Sequence, residues 1–281
     1  MGNVVKRIWS SAPIWAWVVM GVCVIVLVAG LVFSGHRSSG AAPDTATAGA
    51  AETSAAAPPT PATVAFIDGA KANPTTPKTI VLLGDSTGSD PQGWAPALGK
   101  AISASLGRPV ATKFWNSASN QYGPIVGLGD GKNGAIGFWN GSANGKDAAY
   151  AQKNLGLLIG PDVTPDLILL NFGHTEDPVK PLAPQIQPLI DDLRKKYPKA
   201  QIAVIKQNPA QHAPIEASGQ LTGYASAMDA ESIQVIDVYS AFPSDEDALA
   251  KVLANPIDPN AAGQKLWTKT VLTAFGLPTQ Q

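Results

Sequence analysis

The chain has few of the residues on which catalytic and metal sites are usually built. It contains one cysteine, Cys23, and three histidines, His36, His174 and His212. A single cysteine excludes an intrachain disulfide and leaves no cysteine cluster for a structural zinc ion. No cluster of His, Asp and Glu has a convincing metal-ligand spacing either, so we predict no metal site. The scarcity of histidine also restricts the choice of a general base.

Charged residues are scarce as well. Asp, Glu, Lys and Arg make up 15% of the 281 residues, and the formal net charge is -1. A nucleic-acid-binding surface needs a basic footprint, so we do not expect a nucleic-acid partner. No Gly-x-Gly-x-x-Gly motif follows a predicted strand, so nothing indicates a nucleotide cofactor. We therefore predict a protein that works without a cofactor.

One uncharged, mostly apolar run occupies residues 14–33. About 20 helical residues span roughly 30 Å, the thickness of a bilayer core. Lys6 and Arg7 precede the run, which favours a cytoplasmic N-terminus and an extracytoplasmic C-terminal domain. We predict a single-pass anchor in the cell membrane. A cleaved signal peptide is the alternative, although its apolar region usually has about 7–15 residues.

The composition divides the chain into three parts. Residues 1–35 form the predicted cytoplasmic stub and membrane anchor. Residues 36–75 are rich in Ala, Pro and Thr and have few large apolar side chains. Such a segment buries too little surface to offset its ordering entropy, so we predict a linker. Residues 76–281 form the predicted globular domain.

Strands alternate with helices in the predicted globular domain, which indicates a parallel sheet covered by helices on both faces. The predicted strands are residues 79–83, 110–115, 135–139, 166–170, 201–206 and 233–238. The predicted helices are residues 93–106, 146–159, 184–197 and 261–275. Residues 116–134 are rich in Gly and Asn without periodicity, and we interpret them as a long loop.

Polar residues follow four of these strands directly. In a parallel sheet the loops after the carboxyl ends of the strands lie at one edge, and ligands bind there. We therefore expect four loops to converge at this edge. They begin at Gly84, Asn140, Asn171 and Gln207.

Ser86 is the candidate nucleophile. It follows the first strand in Val81-Leu-Leu-Gly-Asp-Ser-Thr-Gly88, where a strand-to-helix turn exposes the hydroxyl beside backbone amides that can stabilise an oxyanion. A serine at such a turn is more often a helix N-cap. The whole stretch, however, resembles the first sequence block of the SGNH/GDSL hydrolases. The resemblance implies a three-layer α/β/α fold with a doubly wound, parallel, five-stranded sheet of the flavodoxin-like type.

Two further segments resemble the second and third blocks of this family. Asn140-Gly-Ser-Ala-Asn-Gly145 resembles the second block, whose glycine gives a backbone N–H to the oxyanion hole, and the resemblance implies this role for Gly145. Asn171-Phe-Gly-His-Thr-Glu176 resembles the third block. There Thr175 stands where the family has an oxyanion-binding Asn. A threonine hydroxyl can donate one hydrogen bond, but it reaches less far than an amide.

The last block departs most from the family. Leu253-Ala-Asn-Pro-Ile-Asp-Pro-Asn-Ala-Ala-Gly263 resembles Asp-x-x-His-Pro-Asn-x-x-Gly. Asn255 stands in the position of the triad acid, and Asp258 in that of the base. We interpret Asp258 as the group that takes the proton of Ser86, with His212, in the loop after the strand 201–206, as a possible substitute. His174 lies at the same edge and is a further alternative.

The resemblance implies an ester hydrolase. Its expected substrates are acyl esters on the glycans or lipids of a bacterial cell envelope, reached from the membrane through residues 14–33. Because both catalytic side chains of the last block differ, a second hypothesis is a degenerate domain that binds an envelope glycan or a partner protein. Acyl transfer onto a cell-wall polymer is a third.

Overall fold

A sheet with six parallel strands forms the centre of the domain. The structure, a computed structural model, describes residues 59–212 and 220–279. The strands are β1 Lys78–Gly84, β2 Val110–Asn116, β3 Gln121–Tyr122, β4 Val126–Gly129, β5 Ile136–Asn140, β6 Leu167–Asn171, β7 Gln201–Lys206 and β8 Gln234–Asp237. The parallel strands follow the order β2-β5-β1-β6-β7-β8, and the short strands β3 and β4 pair with β2 in the antiparallel sense.

Helices cover both faces of this sheet. They are α1 Ala62–Ala72, α2 Trp94–Leu106, α3 Ala148–Lys153, α4 Leu155–Leu158, α5 Leu182–Lys196, α6 Tyr224–Ala230, α7 Glu246–Ala250 and α8 Ala261–Ala274. Ile80 and Leu82 of β1 pack in the core under α1, α2 and α8. Val81 and Leu83 point the other way, into the core under α3, α4, α5 and α6. The three-layer α/β/α arrangement is therefore confirmed.

The prediction of a five-stranded sheet is wrong, because the sheet has eight strands. β8 extends the parallel part beyond five strands, and β3 and β4 lie in residues 116–134, which we interpreted as loop. These two strands have only two and four residues and no buried side chain. A short, exposed strand has no apolar alternation that would reveal it. β3 and β4 form because the backbone of β2 offers them hydrogen bonds.

Helix α1 lies inside the stretch that the sequence predicts as a linker. Phe66 and Ile67 of this helix are buried in the core. Thr63 ties the start of the helix to distant parts of the chain, since its backbone N–H donates to Gln234 Oε1 at 2.9 Å and its hydroxyl donates to the Ala274 carbonyl at 2.5 Å. The predicted linker boundary at residue 75 is therefore wrong. The packing of Phe66 and Ile67 makes this helix part of the domain.

The predicted membrane anchor, residues 14–33, lies outside the described residues. Within residues 59–212 and 220–279, no helix is long and apolar enough to cross a bilayer. The single-pass anchor and the extracytoplasmic location remain predictions from the sequence.

Removal of the aromatic ring of Phe66 tests whether α1 belongs to the domain. Truncating a buried phenylalanine to alanine costs about 3–5 kcal/mol, so Phe66→Ala should lower the free energy of unfolding by about that amount in urea denaturation. Asp68→Ala is the control, because Asp68 lies exposed on the same helix, and a surface substitution of this kind changes stability by about 0.5 kcal/mol or less. Equal stabilities of the two variants would contradict the packing of α1.

Candidate active site

The loops after four parallel strands converge on one turn, as the sequence predicts. This turn is the 3₁₀ segment Ser86–Gly88, directly after β1. Polar side chains from the ends of β5, β6 and β7 each bond to a residue of the turn or to the Asp85 that caps it. These bonds are Asn140 Nδ2 to the Gly88 carbonyl at 2.8 Å, Asn171 Nδ2 to Thr87 Oγ1 at 2.9 Å, and Gln207 Nε2 to both Asp85 carboxylate oxygens at 3.0 Å.

The carboxylate of Asp85 is the centre of this cluster. It is fully buried, and a buried carboxylate is tolerated only when hydrogen bonds replace its hydration. Its Oδ1 accepts from the backbone N–H of Thr87 at 3.0 Å and from the Thr87 hydroxyl at 2.7 Å. The Gln207 amide supplies a third donor. Buried hydrogen bonds to Asp85 therefore fix the turn that carries Ser86.

The hydroxyl of Ser86 begins a chain of side-chain hydrogen bonds. Ser86 Oγ donates to Asp258 Oδ1 at 2.7 Å. Asn255 Nδ2 donates to the other carboxylate oxygen, Asp258 Oδ2, also at 2.7 Å. Asn255 Oδ1 in turn accepts the backbone N–H of Asp258 at 2.8 Å. Asn255 thus orients Asp258 towards Ser86, and the last block is placed against the first.

Contacts to the neighbouring loop after β7 hold the last block in place. Asn208 Nδ2 donates to the carbonyl of Ile257 at 3.0 Å, and the backbone N–H of Gln211 donates to the carbonyl of Pro256 at 2.7 Å. Both accepting residues directly precede Asp258. The position of the Asp258 carboxylate therefore depends on the loop after β7.

Two backbone amides are candidate oxyanion donors. Gly145 has a φ of 64°, in the left-handed region that favours glycine. Neither its N–H nor that of Ser86 has a hydrogen-bond acceptor among the residues described. The hydroxyl of Thr175, the third candidate, donates a hydrogen bond to the carbonyl of Lys146 at 3.0 Å. In this structure it ties the third block to the second. An oxyanion role for Thr175 would require this bond to break, and it stays a prediction.

His212 lies on the predicted edge but has a different partner. Its side chain is 76% exposed, and Nδ1 lies 3.8 Å from Glu246 Oε2. Its backbone N–H also donates to Glu246, at 3.1 Å. The Ser86 hydroxyl bonds to Asp258 instead. The structure thus brings Ser86, Asp258 and Asn255 together and shows no contact between His212 and Ser86. Recruitment of His212 as the base remains an untested prediction.

No family model matches the sequence, and no curated protein matches it. Solved structures do match the fold. A GDSL-like lipase from Parabacteroides merdae is 13% identical with a TM-score of 0.53, and the match covers 73% of this chain and 99% of the lipase. A carbohydrate esterase family 3 protein from Talaromyces cellulolyticus is 15% identical with a TM-score of 0.51, covering 69% and 94%. The fold is that of the SGNH/GDSL hydrolases.

Sequence reasoning missed the part that Gln207 and Asn208 play in this SGNH/GDSL fold. Gln207 reaches Asp85, and its Oε1 accepts the backbone N–H of His174 at 3.0 Å. Asn208 holds the last block. Both side chains are buried. The signal in the sequence was a pair of polar amides directly after an apolar strand, at the carboxyl edge of the sheet, which is where such a sheet places functional residues.

Glu176 is a buried carboxyl group in the third block of the SGNH/GDSL fold. Its Oε1 accepts the backbone N–H of Ala148 at 3.0 Å, at the start of α3. Burial is the main reason why the pKa of Glu176 is raised to about 7. The negative charges of Asp85 and Asp147 act in the same direction, and backbone hydrogen bonds oppose the shift. At neutral pH the group is therefore divided between its protonated and ionised forms.

The described residues do not suggest a metal centre. Among residues 59–212 and 220–279, no three His, Cys, Asp or Glu side chains are grouped so that they could hold a metal ion. The absence of a metal and of a cofactor stays a prediction.

The raised pKa of Glu176 predicts a loss of stability as pH rises. The pKa of this carboxyl is about 7 in the folded protein and 4.5 in the unfolded chain. Between pH 4.5 and pH 7 the group therefore ionises more readily in the unfolded chain. Its contribution to the stability of the folded state falls as the pH rises through this range. The whole effect is at most about 3 kcal/mol. Urea denaturation of the native protein and Glu176→Gln should therefore show the variant gaining relative stability from pH 4.5 to pH 7.5.

The matched control is Glu246→Gln, which removes an exposed carboxylate. A pH profile of Glu176→Gln that runs parallel to that of the native protein would show that Glu176 ionises equally easily in both states, contrary to its burial.

Proposed function

We propose that this protein hydrolyses carboxylic esters with Ser86 as its nucleophile. The observation that carries the proposal is the hydrogen-bonded chain from Ser86 through Asp258 to Asn255. It has the order of a catalytic triad, in which a hydroxyl donates to a proton acceptor and a third group orients that acceptor. The similar structures named as a GDSL-like lipase and a carbohydrate esterase support an ester substrate.

The geometry supports a two-step acyl transfer. As the Oγ of Ser86 forms a bond to the ester carbonyl carbon, its proton passes to Asp258 Oδ1. The N–H groups of Ser86 and Gly145 would stabilise the negative oxygen of the tetrahedral intermediate. The intermediate then expels the alcohol, which takes the proton from Asp258. A water molecule attacks the acyl-serine by the same route and regenerates Ser86.

An aspartate is a weaker base than the histidine it replaces. The ordinary pKa of aspartic acid is near 3.9 and that of histidine near 6.5, a difference of roughly 3.5 kcal/mol in proton affinity. We therefore expect slow turnover, and substrates whose leaving alcohol needs little protonation should react fastest.

We propose that this activity takes place outside the cell membrane. The apolar run 14–33 and the Lys6–Arg7 pair support a protein that is anchored in the cell membrane with its catalytic domain outside. Acyl esters on envelope glycans or lipids are then the substrates within its reach.

A binding function is the second candidate, and the Thr175 hydroxyl favours it. That hydroxyl is held by the Lys146 carbonyl, so one of the family's oxyanion donors is engaged elsewhere. Loss of one such donor can cost roughly 3 kcal/mol in the transition state. A domain with this defect and a weak base would use the same edge of the sheet to bind an envelope glycan or a partner protein.

A fluorophosphonate probe separates the two functions. If Ser86 is an activated nucleophile, the native protein should become covalently labelled and should cleave short-chain aryl esters, and Ser86→Ala should lose both activities. Ser105→Ala is the control, because Ser105 is an exposed helical serine away from the turn. Absence of labelling in the native protein, with glycan binding retained in Ser86→Ala, would favour the binding function.

Replacing Asp258 by asparagine tests the proposed base. The amide has the same size and can still accept a hydrogen bond from Ser86, but it cannot take up a proton. General base catalysis contributes about 10²–10⁴-fold, so kcat/KM for an aryl ester should fall by about that factor while the melting temperature changes little. Asp162→Asn, at an exposed position, controls for the loss of charge. An unchanged kcat/KM in Asp258→Asn would mean that the proton goes to another group.

A further inference from the structure

The proposed oxyanion donor Gly145 lies in a tight turn of four residues, 143–146. The backbone N–H of Lys146 closes this turn by donating to the carbonyl of Ala143 at 3.1 Å. The N–H of Ala143 donates to the carbonyl of Gly84 at 2.9 Å, so the beginning of the turn is attached to the end of β1, directly before the turn that carries Ser86.

The form of this turn decides where the Gly145 N–H points. Gly145 is the third of the four residues, and its φ of 64° is the positive value that a type II turn requires at that position. Type I and type II turns differ by a rotation of the central peptide, which here joins Asn144 to Gly145. A change of turn type would therefore reverse the direction of the proposed oxyanion donor.

Two side chains of the third block hold the end of the turn. The Thr175 hydroxyl donates to the carbonyl of Lys146, its last residue, at 3.0 Å. Two residues further on, Oε1 of the buried Glu176 accepts the backbone N–H of Ala148 at 3.0 Å. Because these bonds lie on either side of Asp147, they fix both the position and the direction of the chain that leaves the turn.

The same two side chains also contact each other, since Thr175 Oγ1 lies 3.4 Å from Glu176 Oε2. A hydroxyl has one hydrogen to donate and two lone pairs, and Thr175 uses its hydrogen on the carbonyl of Lys146. A protonated Glu176 can donate from Oε2 to the Thr175 oxygen and leave that bond intact. An ionised Glu176 competes with the carbonyl for the single hydrogen.

We propose that Thr175 and Glu176 are positioning residues, which hold residues 143–146 in the form that directs the Gly145 N–H towards the oxyanion. Thr175 then serves the oxyanion through the turn, and not by donating its own hydroxyl as the family resemblance implies. The inference rests on the proposed function, because it needs an oxyanion that Gly145 stabilises.

The contact between the two side chains predicts a fall in activity above neutral pH. The pKa of Glu176 is about 7, and the charged or titratable groups that face it are Asp85, Asp147 and the phenol of Tyr224. As pH rises through about 7, Glu176 ionises and kcat/KM, which reports on the free enzyme, should fall. Glu176→Gln cannot ionise and should lack this fall. An equal fall in Glu176→Gln would overturn the role of Glu176.

Nuclear magnetic resonance of the full chain tests the hold on the turn without any substrate. Glycine is labelled with ¹⁵N, and Gly145→Ala identifies the signal of Gly145. Rigid backbone has an order parameter of about 0.85 and flexible backbone one below about 0.6. We expect Gly145 to be rigid in the native protein and in Thr175→Ser, and clearly more mobile in Thr175→Val. Thr273→Val is the control, because its hydroxyl also donates to a backbone carbonyl, that of Lys269, but within α8.

Kinetics with an aryl ester test the positioning. Thr175→Val and Glu176→Ala should each lower kcat by about tenfold or more with little change in KM, since a misplacement of about 1 Å can cost roughly 100-fold. Thr175→Ser keeps the hydroxyl, and Glu176→Gln keeps an acceptor for Ala148 and a donor for Thr175. Both should retain most of the kcat at pH 7. Thermal unfolding shows which variants are folded.

The outcomes separate the two proposals. If the native protein cleaves esters but Gly145 is equally rigid in Thr175→Val, the positioning role is wrong and the proposed function stands; a loss of kcat in that variant then comes from a direct donor role. If the native protein cleaves no ester but Gly145 becomes mobile in Thr175→Val, the proposed function fails and the hold of Thr175 on the turn stands. A Glu176→Gln variant that loses as much kcat as Glu176→Ala would also overturn the positioning role of Glu176.

Discussion

The buried carboxylate of Asp85 is the constraint on which the candidate site depends. It lies at the carboxyl end of the central strand β1, out of contact with water, and it needs donors from the protein. Gln207 at the end of β7 supplies one of them. Meeting this need draws the end of β7 onto the turn after β1, and Asn171 at the end of β6 supports the turn by donating to Thr87. Ser86 projects from that turn, so the proposed nucleophile is held by a core that would be destabilised if the turn moved.

The second constraint is the short side chain of Asp258 in the last block. An aspartate side chain is shorter than a histidine side chain, so the backbone at Asp258 must come close to Ser86 for the 2.7 Å hydrogen bond to form. Asn208 and Gln211 hold that backbone through Ile257 and Pro256. The loop after β7 thus takes part in the site, although its own histidine, His212, turns outward to Glu246.

Much of this architecture was predictable from local patterns. The apolar runs that became β1 and β6 are buried along nearly their whole length, and such runs are typical of central parallel strands. The converging loops follow from strand direction alone. The helix α1 and the strands β3 and β4 were missed for a different reason. Helix α1 consists mostly of small residues, and β3 and β4 are short and exposed. Contacts with the sheet stabilise all three elements.

The sequence by itself determined the alternation of strands and helices and predicted one edge for Ser86, Gly145, Thr175 and Asp258. It also showed an aspartate where the resembling family has its base. These features are local, because each depends on residue types at short spacing. Only the tertiary structure decided which side chain meets the Ser86 hydroxyl, that Thr175 bonds to Lys146, and that Gln207 bonds to Asp85. Such pairings join residues that are far apart in the chain, and they depend on packing and burial that no local pattern contains.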